Sequence, residues 1–576
     1  LSRESGKRTP VDPVKAGIRR RPATVPGASV RIAAMKTLLL LLAGAVACAC
    51  APIDNRPATM DMHPVDAAAT DNATAAAAAA DDPYLWLEPS DDARALDWVR
   101  ARNAETVAAY ASTPAFATMR DQILEVMDSE ARIPFVAKMG PYYYNFWRDK
   151  ANPLGLWRRT TLAEYRKDHP KWDVLIDVDS LAKSENERWV WHGADCLRPD
   201  YRHCLVSLSR AGADATVVRE FDLVTRSFVK DGFTLSEAKT EAGWIDANSL
   251  YVATDFGPGS MTKSSYPRIV KEWKRGTPIA DAKVVYEGTN DDNFISAYRD
   301  HTPGFVRDFV VRSIAFYRHE VFVRGKDGAL VKLDVPIDSE TQVRREWLTV
   351  QTRTPWTVGG KTYPAGALLA TNFDRFMAGK RDFTVLFTPT DTVSLDSYSW
   401  TRHHLIVNTM NDVVIHLEVM TPKTGKGSRR PLGGAPALSA ITASGVDAYE
   451  SDAYFLTVSG YLEPTTLYYG TLGNAATKPA PIKHAPRFFD ASKYHVERHF
   501  AQSKDGTRVP YFVVAPRTLK PGGGNPTILY GYGGFEISMQ PHYSGSVGRA
   551  WLAHGGVFVV ANIRGGGEYG PRWHQA

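Results

Sequence analysis

VFVVANIRGGGEYG runs from Val557 to Gly570, close to the end of a 576-residue chain. Its first half, Val557 to Ile563, is a continuous apolar run, as expected for a strand covered on both faces. Upstream, VGRAWLAHGG (Val547 to Gly556) reads as a helix ending in glycine. Before that, RVPYFVVAP (Arg508 to Pro516) and PTILYGYGG (Pro526 to Gly534) read as strands. Strand, loop, helix and buried strand in that order open an α/β sheet.

Working back toward the N-terminus, the texture changes near Tyr494. From about 142 to 490 short apolar or alternating runs recur between Asp, Gly, Asn and Pro. WDVLIDV (Trp172 to Val178), HCLVSLS (His203 to Ser209), SLYVATD (Ser249 to Asp255) and HLIVNT (His404 to Thr409) are examples. No long helical pattern lies among them. So many short strands over about 350 residues exceed one sandwich, and a β-propeller fits the length. Seven blades of ~50 residues would fill it, although no exact repeat is visible.

Residues 82–141 read as helical. Asp91 and Asp92 are candidate caps for ARALDWVRARNAETVAAYA (Ala93 to Ala111), which has near-helical apolar spacing. A second helix is expected near Pro114 to Met127. Residues 52–81 form a polar, alanine-rich linker with nothing to bury. Residues 35–51, MKTLLLLLAGAVACACA, have one lysine, a short apolar run and small residues, which is a signal-peptide pattern. The run is too short to span a bilayer at ~20 residues. An exported protein, periplasmic or extracellular, is therefore expected. Ala45-Val46-Ala47-Cys48 resembles a lipoprotein cleavage box, and an ordinary cut near Ala49 or Ala51 is the alternative. A lipid anchor on Cys48 stays open.

Residues 1–34 read as translated sequence upstream of a start at Met35. They carry eight basic and two acidic residues, which equals the whole net charge of +6. Residues 35–576 then sum to zero, so the body has no charge excess to steer it toward nucleic acid. Composition is that of a globular protein, at 44% hydrophobic and 23% charged. Cys196 and Cys204 are close enough to bridge a hairpin; two buried thiols are the alternative.

Two glycine-rich segments carry the chemistry. Gly565 to Gly570 matches GxGxxG, but Pro571 closes it, no helical pattern opens and no acidic partner follows, so a nucleotide site is not expected. Tyr530-Gly531-Tyr532-Gly533-Gly534-Phe535 follows an apolar strand, where α/β-hydrolases place part of an oxyanion hole. Glycines let such a loop fold back, and a tyrosine hydroxyl there would donate to a developing oxyanion. No HExxH, Walker loop or EF-hand pattern occurs, and His403-His404 lacks spaced partners. No metal or organic cofactor is expected.

Together GYGGF, the helix, VVANIRGGGEYG and the nearby Trp573-His574 resemble the prolyl oligopeptidase family of serine peptidases. DPYLWLE (Asp82 to Glu88), LDWVRARN (Leu96 to Asn103) and IPFVAKMGPYYYNFWRDKANPLGLWRRT (Ile133 to Thr160) are similar to its N-terminal part. KDGTRVPYFVVAP (Lys504 to Pro516) is similar to the strand that re-enters its hydrolase domain. The resemblance implies a seven-bladed propeller (142–490) over an α/β-hydrolase domain built from 82–141 and 491–576. It implies a Ser-Asp-His triad, Tyr532 as the side-chain oxyanion donor, and Phe535 lining the pocket for the residue before the scissile bond. Short proline-containing peptides are the implied substrates, and a monomer is expected. Cleavage after basic residues, as in oligopeptidase B, and a non-catalytic peptide-binding propeller are the alternatives.

No GxSxG occurs anywhere in the chain. His542, His554 and His574 precede the place expected for the nucleophile, whereas this fold runs Ser, Asp, His. They are read as structural, as are Ser544 and Ser546. The 576 residues are accordingly expected to stop before the nucleophile, to lack the triad and to be inactive as they stand.

Overall fold

The computed structural model describes residues 82–89, 91–423, 427–433, 438–473, 478–520 and 522–576. The expected upstream segment, signal peptide, lipid-anchor cysteine and linker lie outside the described residues.

Among the described residues, seven antiparallel sheets follow one another from Ala137 to His484, each pairing four strands in sequence order. The second carries an extra strand, Thr234–Ala238. The fifth has an inserted hairpin, Trp356–Val358 with Lys361–Tyr363. The first strand, Ala137–Met139, lies ahead of the expected boundary at 142. It is three residues long and adds no apolar run, which is why the alternating texture missed it.

Burial explains why these short runs stay as strands. Leu405–Asn411, second in its sheet, is buried at all but its last residue. The fourth strands Lys283–Glu287 and Ser428–Pro431 are largely exposed and carry the charge and proline that blunt a free edge. Apolar side chains of consecutive sheets share cores. Trp157 and Leu175 of the first meet Val206 and Phe221 of the second. Tyr251 and Val270 of the third meet Ile295 and Val310 of the fourth. Leu368 and Leu386 of the fifth meet Leu395 and Leu405 of the sixth. Tyr165, from the first sheet's connection, packs with Leu467 of the seventh. Cys196 and Cys204 face each other across the hairpin of the second sheet and are bonded, so the two-thiol alternative does not hold.

The C-terminal residues form a separate four-stranded sheet in the order Tyr494–Gln502, Arg508–Pro516, Val557–Ala561, Thr527–Gly531. The last two are parallel, and the helix Gly545–Ala550 lies between them in sequence. That is the expected strand–helix–strand unit, with the helix shorter than VGRAWLAHGG suggested. A 3-10 turn, Leu552–His554, and Gly555 at φ 85° finish it. Val557 and Val560 are buried, but Phe558 and Val559 are only partly so, short of the full cover expected.

The second of the two N-terminal helices packs on Gly545–Ala550. Ala93–Thr106 is capped by Asp92, whose carboxylate accepts from Ala95 N, and Thr113 caps Pro114–Met127. Glu125 pairs with Arg549 at 3.2 Å. A Cβ on Gly545 would lie 2.7 Å from Val126 Cγ1, so the glycine lets the two helices touch.

Candidate active site

Strand Thr527–Gly531 delivers Tyr532 into a loop that lies directly on the RGGGEYG segment. A Cβ on Gly565 would sit 1.8 Å from Gly533 O, and one on Gly533 would sit 2.4 Å from Arg564 O. Neither position tolerates a side chain, because backbone faces backbone. A Cβ on Gly567 would likewise meet Glu536 O at 2.3 Å. Gly565 and Gly567 of the GxGxxG match are thus spent on loop-to-loop packing. A short helix, Pro571–Gln575, does follow the motif, contrary to expectation; proline suits its first turn.

Tyr532 is half-buried, and its hydroxyl makes no hydrogen bond among the described residues. Phe535 and Glu536 take left-handed backbone angles, φ 54° and 55°. That conformation costs an L-residue ~1–2 kcal/mol and persists only where its surroundings hold it. Here Gly565 O accepts the Glu536 N–H at 3.2 Å and the His574 Nδ1–H at 2.7 Å. The 3.2 Å approach of Glu536 N to the same ring nitrogen is then a contact without a proton to share.

The other wall comes from the propeller sheets. Phe535 is 44% exposed, and its ring centroid lies 5.0 Å from that of Phe316, in the turn after Arg307–Ala315. Tyr317 packs on Phe316 at 4.7 Å and on His574 at 5.1 Å. The Arg353 guanidinium lies 3.5 Å above the Tyr317 ring and pairs with Glu536. Burial pushes the Tyr317 hydroxyl above its ordinary pKa, with the Arg353 charge opposing. Beside this group is a cavity of about 350 Å³, lined by Glu340, Arg353, Asp396, Glu536, Tyr569 and Arg572 among others. Sequence reasoning missed Phe316, Tyr317 and Arg353. They stand some 180 to 220 residues from GYGGF, and nothing local marks them.

Glu568 was also missed, since the GxGxxG pattern treats it as a filler. It is 0% exposed. Its Oε1 accepts from Met539 N at 2.8 Å and Asn562 Nδ2 at 3.0 Å. Oε2 has no partner among the described residues, and burial raises the carboxyl pKa against those donors. Ser394 of the sixth sheet donates to Glu568 O at 2.7 Å. Glu568 thereby ties the GYGGF loop, the end of Val557–Ala561 and the propeller together.

Other candidates have ordinary partners. Ser544 caps Gly545–Ala550 through Val547 N, and Ser546 lies within that helix. His542 Nδ1 is 3.3 Å from Gln540 O, and His554 ends the 3-10 turn. His403 Nδ1 pairs with Asp452 at 2.8 Å. Among the described residues no group of three or more His, Cys, Asp or Glu side chains is placed to hold a metal.

Comparison with known proteins accords with this arrangement. Residues 62–481 match the family model described as prolyl oligopeptidase, N-terminal beta-propeller domain. An uncharacterized peptidase of Sinorhizobium fredii is 37% identical over 536 residues, covering 90% of this chain and 72% of its own length. A prolyl endopeptidase of Elizabethkingia miricola is 26% identical over 517 residues, covering 86% of this chain and 67% of its own. The solved structure of a post-proline cleaving enzyme from Rickettsia typhi superposes with a TM-score of 0.80 at 29% identity, covering 85% of this chain and 73% of that one. With its propeller domain matched over most of its length, the chain belongs to the prolyl oligopeptidase family of serine peptidases.

Proposed function

We propose that this protein is an exported oligopeptidase that cleaves short peptides after proline through an acyl-enzyme. A serine attacks the peptide carbonyl, a histidine carries the proton, and an aspartate orients the histidine. Tyr532 donates its hydroxyl to the oxyanion, and Phe535 lines the pocket for the residue before the scissile bond. The seven sheets are the blades of one propeller, which admits short peptides and shuts out folded proteins. Residues 82–141 and 491–576 supply the two ends of the hydrolase domain. The protein acts as a monomer.

The observation that carries this reading is the GYGGF loop. It leaves a parallel strand, turns on glycines against RGGGEYG, and presents Tyr532 with an uncommitted hydroxyl beside an exposed Phe535. The names of similar proteins, a prolyl endopeptidase and a post-proline cleaving enzyme, favour proline as the preferred residue. An apolar phenylalanine at 535 fits a proline ring better than a cationic side chain.

The 576 residues contain no nucleophile elbow, so we expect no turnover from them alone. The test is release of nitroaniline from a proline-containing and an arginine-containing chromogenic peptide. The 576-residue chain should match the no-protein blank. A form that carries the triad should prefer proline. Turnover by the shorter chain would refute its inactivity, and preference for arginine would refute the specificity.

A further inference from the structure

Each propeller sheet runs along its first strand and returns along its second. Ser394, Asp412 and Asp391 contact the C-terminal segment from one end of the sixth sheet. The opposite ends carry a second cluster. Arg198 follows Trp189–Cys196, Arg344 ends Glu340–Arg344, Tyr449 follows Ala440–Gly445, and Asp300 ends Phe294–Asp300. Four different sheets bring these residues together, well away from Tyr532.

Arg198 and Arg344 are 7% and 6% exposed. Their guanidinium carbons lie 4.0 and 3.3 Å from the Tyr449 ring centroid. All three nitrogens of Arg198, and Nε and one Nη of Arg344, are buried with no hydrogen-bond partner among the described residues. Tyr201, whose ring is 5.5 Å from Arg198, has a buried hydroxyl in the same condition. Stacking on an aromatic ring recovers only part of the cost of dehydrating a guanidinium. Burial accordingly holds the Arg198 pKa down to about 8.

The nearby carboxylates are turned elsewhere. Asp447 and Glu450 hold Lys138 at 2.8 and 2.7 Å. Asp300 accepts from Thr302 N at 2.9 Å and from the Tyr449 hydroxyl at 3.4 Å. Among the described residues, Glu450 Oε1 is the one buried carboxylate oxygen in this group without a partner. The cluster therefore holds more buried donors than acceptors to meet them.

We propose that Arg198, Arg344 and Tyr201 form a binding site for one oxyanion, a carboxylate or a phosphate, at the propeller end remote from the mixed sheet. Two guanidinium forks match the planar oxygens of such a group, and charge-assisted hydrogen bonds are the strong ones. Binding requires the Tyr449 ring, which lies against both guanidiniums, to turn aside. The 196–204 disulfide anchors both ends of the loop carrying Arg198 and Tyr201. The site does not depend on the peptidase reading.

Calorimetry on the whole chain at fixed ionic strength tests this, with sodium phosphate and with an acetylated tetrapeptide as free acid and as amide. Saturable binding of an oxyanion is expected, at least ~10-fold weaker in Arg198→Gln and in Arg344→Gln. Binding of phosphate alone identifies an inorganic anion as the ligand; preference for free acid over amide identifies a peptide terminus. Glu450→Gln removes a nearby negative charge and should tighten binding. Should a variant fail to fold, the wild-type titration still decides. Absence of saturable binding by any probe overturns the proposal, as do equal affinities in folded arginine variants or weaker binding in Glu450→Gln.

Discussion

At the scale of single residues, Glu568 shows how far a buried carboxyl constrains the site. Burial raises its folded-state pKa, so the folded chain holds its proton at a pH where the unfolded chain has released it. Its contribution is complete below the ordinary glutamate value and is lost as pH rises toward the raised one. Glu568→Gln keeps an oxygen for Met539 N and Asn562 Nδ2 and cannot ionise. The variant should lose less thermal stability than wild type as pH rises above 4.5. Melting curves of equal slope against pH would refute a raised pKa. The sequence offered only a glutamate inside a glycine motif. The burial comes from Ser394 and Met539, which fold over it from distant segments. Tyr532 and Phe535 were legible because strand, glycines and aromatics are contiguous, whereas Phe316 and Arg353 are not.

Single elements carry two further expectations. The disulfide closes a loop with a sequence separation of 8, so it restricts the unfolded chain modestly. Replacing both Cys196 and Cys204 by serine should cost about 2–3 kcal/mol in a denaturant titration. A change under ~0.5 kcal/mol would mean that the hairpin is held by its strands alone. Thr527–Gly531 is the other case. Among the described residues it is an edge strand, exposed along most of its length, with Leu529 at 72%. An apolar strand with one free edge invites pairing with another chain. Leu529→Lys should lower light scattering at high concentration and leave the melting temperature nearly unchanged. Equal scattering would place self-association elsewhere. Both strands of this unit were legible from their apolar runs. Its exposed edge was not, because a sequence does not say which strand ends a sheet. Ala137–Met139 escaped for a simpler reason: three residues are too few to show a period.

On the scale of the whole molecule, the propeller texture was legible as repeated short strands, and the packing of each sheet on the next was not. Those cores join residues tens of positions apart, such as Leu386 and Leu405, with no shared local signal. The contact between the propeller and the mixed sheet was equally hidden. It combines a shared apolar core, in which Leu456 and Tyr461 join Phe512 and Val560, with the polar pairs Arg353–Glu536, Tyr569–Asp412 and Arg572–Asp391, and all of these join residues far apart in sequence. These contacts set Phe535 against Phe316 and hold the GYGGF loop in its left-handed turn. The central claim is that this loop exists to place Tyr532 on a developing oxyanion. The direct measurement is kcat on a proline-containing chromogenic peptide, for wild type and Tyr532→Phe, in a form of the protein that carries the triad. A fall of ~10²–10³ in kcat with little change in KM is expected. An unchanged kcat would contradict it and remove Tyr532 from the oxyanion hole.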